Sequence, residues 1–134
     1  MDRTLFALPL LTGKTEAARA FLRELEGERK AAYAASEVRL GLTKEVWAVQ
    51  ALPAGDCFVV YFEGADIAGA FRQFAASQDA FDQWFKAQVR DAAGADLNTP
   101  PSGPMSEILS VYEAPATGAP PPTAPAGGPG SNPT

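Results

Sequence analysis

The sequence predicts an α+β protein of ferredoxin-like type, βαββαβ, with a four-stranded antiparallel sheet and its helices packed on one sheet face. Three features lead there: a hairpin signature at 43–64, helix-period segments on both sides of it, and a short β-rich run near each end of the region that can fold. The second helical segment reads as two pieces, so the second helix is expected to be split in two.

The first element, "TLFALPLLTG" (4–13), is a short buried strand, with Pro9 placing its end at a sheet edge or bulge. From Lys14 to about Leu40 the chain is helical. Ala18, Phe21, Leu22, Leu25 and Ala32 recur at three- and four-residue steps, and Glu26 and Lys30 form an i,i+4 pair on the wet side. Gly27 interrupts this pattern at about 1 kcal/mol relative to Ala, so a bend or weak point is expected there.

"TKEVWAVQALPAGDCFVVYFEG" (43–64) is two β-rich runs around a Pro- and Gly-containing reversal. With Ala54 and Gly55 at the turn centre, Trp47 faces Phe62, Val49 faces Val60 and Ala51 faces Phe58, which is an apolar face. The other face carries Val46, Ala48 and Gln50 against Glu63, Tyr61 and Val59. The oily face belongs under the helices. The mixed face is too apolar to be left wet, and this predicts a homodimer.

Asp66 caps the next helix, with Ile67, Ala70, Phe71, Phe74 and Ala75 on one side and an end near Ser77. A further helix from about Asp79 to Ala93 turns Phe81, Trp84, Phe85, Val89 and Ala92 inward. Ser77 is its expected cap. "EILSVYEA" (107–114), with Leu109 and Val111 alternating against Ile108, Ser110 and Tyr112, is the expected last strand. The folded domain therefore spans 1–113. Residues 114–134 hold seven Pro, four Gly and no charged residue, the composition of a disordered tail.

Composition excludes several chemistries. The chain has no histidine, so Ser-His-Asp and Cys-His catalysis and all His-containing metal sites are absent, and no metal or other cofactor is expected. A net charge of -5 without a basic cluster argues against nucleic acid and anionic membranes. No apolar run approaches the roughly 18 residues of a membrane span. "LFALPLL" is too short for a signal peptide and is preceded by cancelling Asp2 and Arg3, and one Cys cannot form an internal disulfide. A cytoplasmic location is expected.

The element order, with the "TGKTEAARAFLREL" helix start, the "KEVWAVQ" and "FVVYFEG" strands and the "SQDAFDQWF" segment, resembles the dimeric α+β barrel superfamily over roughly residues 4–113. That superfamily includes small antibiotic-biosynthesis monooxygenases, related cyclases and many uncharacterised proteins, and the likeness is greatest to an uncharacterised bacterial subgroup. The resemblance implies open sheet faces paired across a two-fold axis and a small organic ligand held between sheet and helices. It transfers no catalytic residue: characterised members use particular His, Asn or Trp residues in the pocket, this chain has no His to match them, and Trp47 and Trp84 align only loosely.

Each candidate site has a plainer role beside it. "GKT" (13–15) stands where a phosphate loop begins, but Leu8 occupies the position of the required first glycine, so a helix start is the better reading. Cys57, with no His or basic neighbour in sequence, reads as a half-buried structural thiol. Glu63 and Tyr61, near Gln50 on the mixed face, are the catalytic candidates: a desolvated carboxyl with its pKa raised, and a hydroxyl to bond it. The plainer role for Glu63 is a strand-end charge or an ion pair across the dimer.

A helix-sheet cavity is expected to be lined by Phe6, Trp47, Tyr61, Phe74, Phe81 and Trp84, and to bind a small apolar or aromatic molecule. Gln50, Trp47, Phe81, Asp82 and Trp84 are the ligand-binding candidates. Asp79 points away from the inward stripe. Asp82 falls on its shoulder, where it pairs with Lys86 or reaches the cavity rim. The sequence leaves two functions standing: cofactor-independent oxygenation, isomerisation or cyclisation, or a non-catalytic dimeric module.

Overall fold

The computed structural model describes residues 1–100 and 105–116. Its order is β1 (Asp2–Pro9), α1 (Thr15–Glu26), α2 (Lys30–Leu40), β2 (Leu42–Leu52), β3 (Gly55–Gly64), α3 (Ile67–Ala76) and α4 (Ala80–Ala93). The strands form one antiparallel sheet in the order β1-β3-β2. This is a mixed α+β fold with four helices. Among the described residues no helix is long and apolar enough to cross a membrane.

The hairpin closes on Leu52 and Gly55, one residue earlier than the expected turn. Moving a turn by one residue moves the register by two, so Trp47 pairs with Val60 and Val49 with Phe58. A two-residue slip keeps every side chain on its own face. Phe58, Val60, Phe62, Trp47 and Val49 accordingly belong to the helix side as predicted.

α1 buries Ala18, Phe21 and Leu25 on one stripe. At Gly27 the helix ends instead of bending, and the chain restarts at Lys30. Two consequences follow for the sequence reading. Glu26 and Lys30 are no longer on one helix, the ion pair here being Arg29 with Glu24 at 3.1 Å, and Ala32 is exposed. α2 stops at Gly41, whose φ of 73° is the left-handed conformation that glycine adopts without strain.

Phe21 sits at the centre of the core. Its ring meets Phe85 at 5.0 Å, Trp84 at 5.5 Å, Trp47 at 6.1 Å and Phe58 at 6.2 Å between centroids, all edge-on. Positive ring edges against negative faces make this the favoured aromatic arrangement.

Among the described residues the sheet has three strands, not four. Segment 105–116 forms no ladder, and Leu109, Val111 and Tyr112 are exposed. It meets the free edge of β1 through side chains: the Ser106 hydroxyl accepts from Leu5 N–H at 2.9 Å, and Arg3 pairs with Glu113. A side-chain oxygen thus takes a strand donor that a ladder would have given to a backbone carbonyl. The stretch read as a tail lies, from residue 117 on, outside the described residues.

Candidate functional site

All four helices cover one sheet face, and between them lies a cavity of about 390 Å³. The sheet contributes Phe6, Glu45, Trp47, Val60 and Phe62 to its wall. α2 contributes Tyr33, Ser36, Glu37 and Leu40, and α3 and α4 add Phe71, Phe74, Phe81 and Phe85. Asp96, Leu97, Thr99 and Pro100 close one side. The volume lies in the range of roughly 300–1,000 Å³ usual for small-molecule sites, which are mostly apolar with a few polar groups.

Three polar groups of the lining, Glu45, Glu37 and Tyr33, gather together. Glu45 precedes Trp47 by two residues on β2, so strand alternation puts it on the inner face among aromatic rings. Its Oε2 accepts from the Trp47 indole Nε1–H at 2.6 Å. Glu37 and Tyr33, one turn apart on α2, come down beside it, each within hydrogen-bonding reach of the Glu45 carboxyl. Burial pushes the Glu37 carboxyl up to about 10, with the hydrogen bond to Glu45 and its charge adding to the effect. Glu45 is raised by burial too, against bonds from Glu37, Trp47 and Tyr33 that favour its charged form. Burial likewise raises the Tyr33 hydroxyl. Tyr33, Glu45 and Trp47 also border a shallower outer groove with Arg23 and Gly27.

The residues singled out from sequence are distributed over three places. Trp47 and Phe81 line the cavity with Phe6 and Phe74. Trp84 lies outside the lining, half-buried against Phe21 and Phe81, with the Arg29 guanidinium 3.9 Å above its ring. Tyr61 and Glu63 alternate with Val60 and Phe62 and so lie on the opposite, open sheet face, as does Gln50, paired with Cys57. Tyr61 therefore lines no part of the helix-sheet cavity.

On that open face the Tyr61 hydroxyl donates to Glu63, and Arg3 Nε stands 3.7 Å from Glu63 Oε2. The expected rise in the Glu63 pKa is corrected: the Tyr61 bond, with help from Lys44 and Arg3, holds this carboxyl below the ordinary range. Cys57 is buried and free.

Asp82 reaches no cavity rim and does not pair with Lys86. It is 1% exposed and accepts from Ser36 Oγ and Ser77 Oγ, each at 2.6 Å, and from Arg39 Nη2 at 3.3 Å. The cap of α4 is Asp79, not Ser77: its side chain accepts from Phe81 and Asp82 N–H. Lys86 is also buried and donates to the carbonyls of Phe74, Ala75 and Ser77 at 2.9, 3.2 and 3.1 Å, closing the C-terminus of α3. The "GKT" stretch has a similar structural use. Lys14 pairs with Asp91 at 3.0 Å, and Thr15 donates to Asp56 at 2.7 Å.

An antiparallel sheet backed on one face by helices, with an aromatic cavity between the layers, defines the class of fold. Among solved structures the chain is similar to tetracenomycin F2 cyclase from Streptomyces glaucescens, a type-II polyketide cyclase. The TM-score is 0.50 at 16% identity, over 86% of this chain and 100% of that one. At that identity the likeness is one of fold. No family model and no curated protein matches the sequence.

Proposed function

We propose that this chain binds a small apolar or aromatic molecule in the cavity between sheet and helices and acts on it as a cofactor-independent cyclase or isomerase. The observation that carries the reading is the cavity itself: about 390 Å³, walled by aromatic rings and bearing carboxyl groups. Apolar walls supply affinity by desolvation, and a few convergent polar groups supply orientation and chemistry. The similarity in fold to a polyketide cyclase supports cyclisation as one chemistry this kind of cavity can host.

The test is a thermal-shift screen with polyketide-like aromatic compounds and quinones. A ligand at a hundred times its Kd stabilises by about 2.7 kcal/mol, which corresponds to a rise of several degrees in Tm. Narrowing the cavity with Leu40→Trp is expected to abolish the shift, whereas Tyr61→Phe on the open face leaves it unchanged. A screen without a single stabilising compound sinks the reading.

The protein is further proposed to work as a homodimer of dimeric α+β barrel type, with the open sheet face as the interface. Leu5 and Val46 are exposed there beside Ala7 and Ala48, an apolar surface with Arg3, Tyr61 and Glu63 at one end and Gln50 toward the other. Sedimentation at tens of micromolar is expected to give a dimer, and Val46→Asp a monomer. A strict wild-type monomer contradicts the interface.

A further inference from the structure

We infer that Glu37 and Glu45 are the acid–base pair of this cavity, with Glu45 the base, Glu37 the acid and Trp47 the residue that positions Glu45, and that the pair works on a planar aromatic that carries no negative charge. The inference rests on the cavity-binding reading above and adds the reacting groups and the ligand's charge.

The roles follow from who donates to whom. Two carboxyl groups in contact cannot both be charged at low cost, so the pair holds a proton between them. The Glu45 carboxyl receives the indole N–H of Trp47, which has no acceptor capacity and therefore favours the charged form of its partner. Tyr33 lines the cavity beside the same carboxyl and favours its charged form. Glu37 has neither of these donors, stands close to the negative charge of Glu45, and so keeps the proton. The pair thus presents an acceptor for a proton and a donor of one.

The ligand's charge follows from the rest of the lining. Among the described residues, β1, β3, α3 and α4 give the cavity only apolar side chains. Its ionisable groups are Tyr33 and Glu37 from α2, Glu45 from β2 and Asp96 from the loop after α4, none of them cationic. Lys86 and Arg39, nearby at the α3–α4 corner, are committed to the α3 carbonyls and to Asp79 and Asp82. An anionic ligand would be desolvated without a counter-charge and against the negative charge that Glu45 already carries, so the lining is set against anions.

The probe is 5-nitrobenzisoxazole, an uncharged planar aromatic opened by a single proton transfer. Glu45 takes the C3 proton, the C–H electrons form the nitrile as the N–O bond breaks, and the oxygen leaves as a phenolate beside the Glu37 proton. Binding is read as quenching of Trp47 fluorescence in a Trp84→Phe background. The rate is read as phenolate absorbance after subtraction of the hydroxide reaction.

The expected result is saturable turnover with a bell-shaped pH profile. Glu45→Gln lowers kcat at least tenfold. Glu37→Gln keeps the fold and removes the alkaline limb, and Trp47→Phe moves the acid limb to higher pH. The anion 2-naphthoate competes at least tenfold more weakly than uncharged 2-acetylnaphthalene. Quenching with a rate that ignores Glu45→Gln and a profile that ignores Glu37→Gln overturns the acid–base pair and leaves the binding reading standing. Naphthoate binding as tightly as the ketone overturns the ligand charge. Absence of quenching by either aromatic overturns the binding reading and this inference with it.

Discussion

Asp82→Ala is expected to destabilise the fold by about 3 kcal/mol and to lower Tm by more than 10 °C, at roughly 4–8 °C per kcal/mol for a domain of this size. Asp82 stands in the first turn of α4 and is almost fully buried, yet its partners come from α2 and from the α3–α4 corner. Ser36 and Ser77 each place a hydroxyl 2.6 Å from it, and Arg39 approaches both oxygens at 3.3 and 3.4 Å. Truncation leaves the buried Ser36 hydroxyl and the half-buried Ser77 hydroxyl without their acceptor and removes the charge opposite Arg39. Arg39 is 41% exposed and keeps Asp79 at 3.0 Å, so the loss belongs at the low end of what breaking a buried ion pair costs. Asp82→Asn retains an acceptor and should lose about half as much. Urea unfolding checks both, and an Asp82→Ala variant within 1 kcal/mol of the parent would falsify this account.

This corner also marks where sequence periodicity stops being informative. Counting 100° per residue places Asp82 at the edge of the stripe formed by Phe81, Trp84 and Phe85, which is correct for α4 in isolation. What the count omits is α2, whose Ser36 and Arg39 close over that edge and turn a rim position into a buried one. The break at Gly27 is the reason. With α1 and α2 as one long helix, no segment is available to cross the α3–α4 corner. A helix propensity penalty of about 1 kcal/mol predicts a weak point there, but tertiary packing decides whether it becomes a bend or a new helix.

The β elements are more legible, because alternation survives errors in register. The expected turn is off by one residue, and the hairpin's two faces hold, which is why Tyr61, on the mixed face, fails as a wall of the helix-sheet cavity. The same rule points at the polar part of the cavity. Once Trp47 and Val49 are inward, Glu45 two residues before Trp47 must be inward as well, and a carboxylate on an oily face is the strongest local conflict in that strand. Glu37 carries no comparable signal. α2 is weakly amphipathic, with Ser36 as its only fully buried residue, so nothing in its own pattern identifies the side chain that meets Glu45. Segment 107–114 is the opposite case, where a clear alternation lacks the ladder that would make it a strand.

Between pH 5 and pH 9 the protein is expected to lose stability steadily, and Glu37→Gln is expected to remove the part of that loss that comes from the Glu37 proton. Burial beside Glu45 raises the folded-state value of Glu37 from 4.5 to about 10. Over the intervening range the folded chain holds a proton that the unfolded chain has released, so the unfolded state binds fewer protons and stability falls as pH rises. The contribution is fully present below the unfolded value and is lost as pH climbs toward the folded one. One retained proton corresponds to at most about 1.4 kcal/mol per pH unit, and solvent reaching the partly exposed Glu37 trims this. Glu45, raised by the same burial, adds to the loss with the same sign, whereas the lowered carboxyls of Glu63 and Asp96 act only below about pH 5, with the opposite sign, and the lowered Lys86 opposes the trend only on the alkaline side. Thermal melts should therefore superimpose at pH 5 for parent and Glu37→Gln and separate by pH 9, where the variant melts roughly 5–10 °C higher. Because the side-chain amide introduced by Glu37→Gln can still donate to Glu45, the gain isolates the cost of the missing proton from the cost of a missing contact. Parallel curves across the whole range would mean that Glu37 titrates as an ordinary surface carboxylate, and the acid of the proposed pair would have to be sought elsewhere.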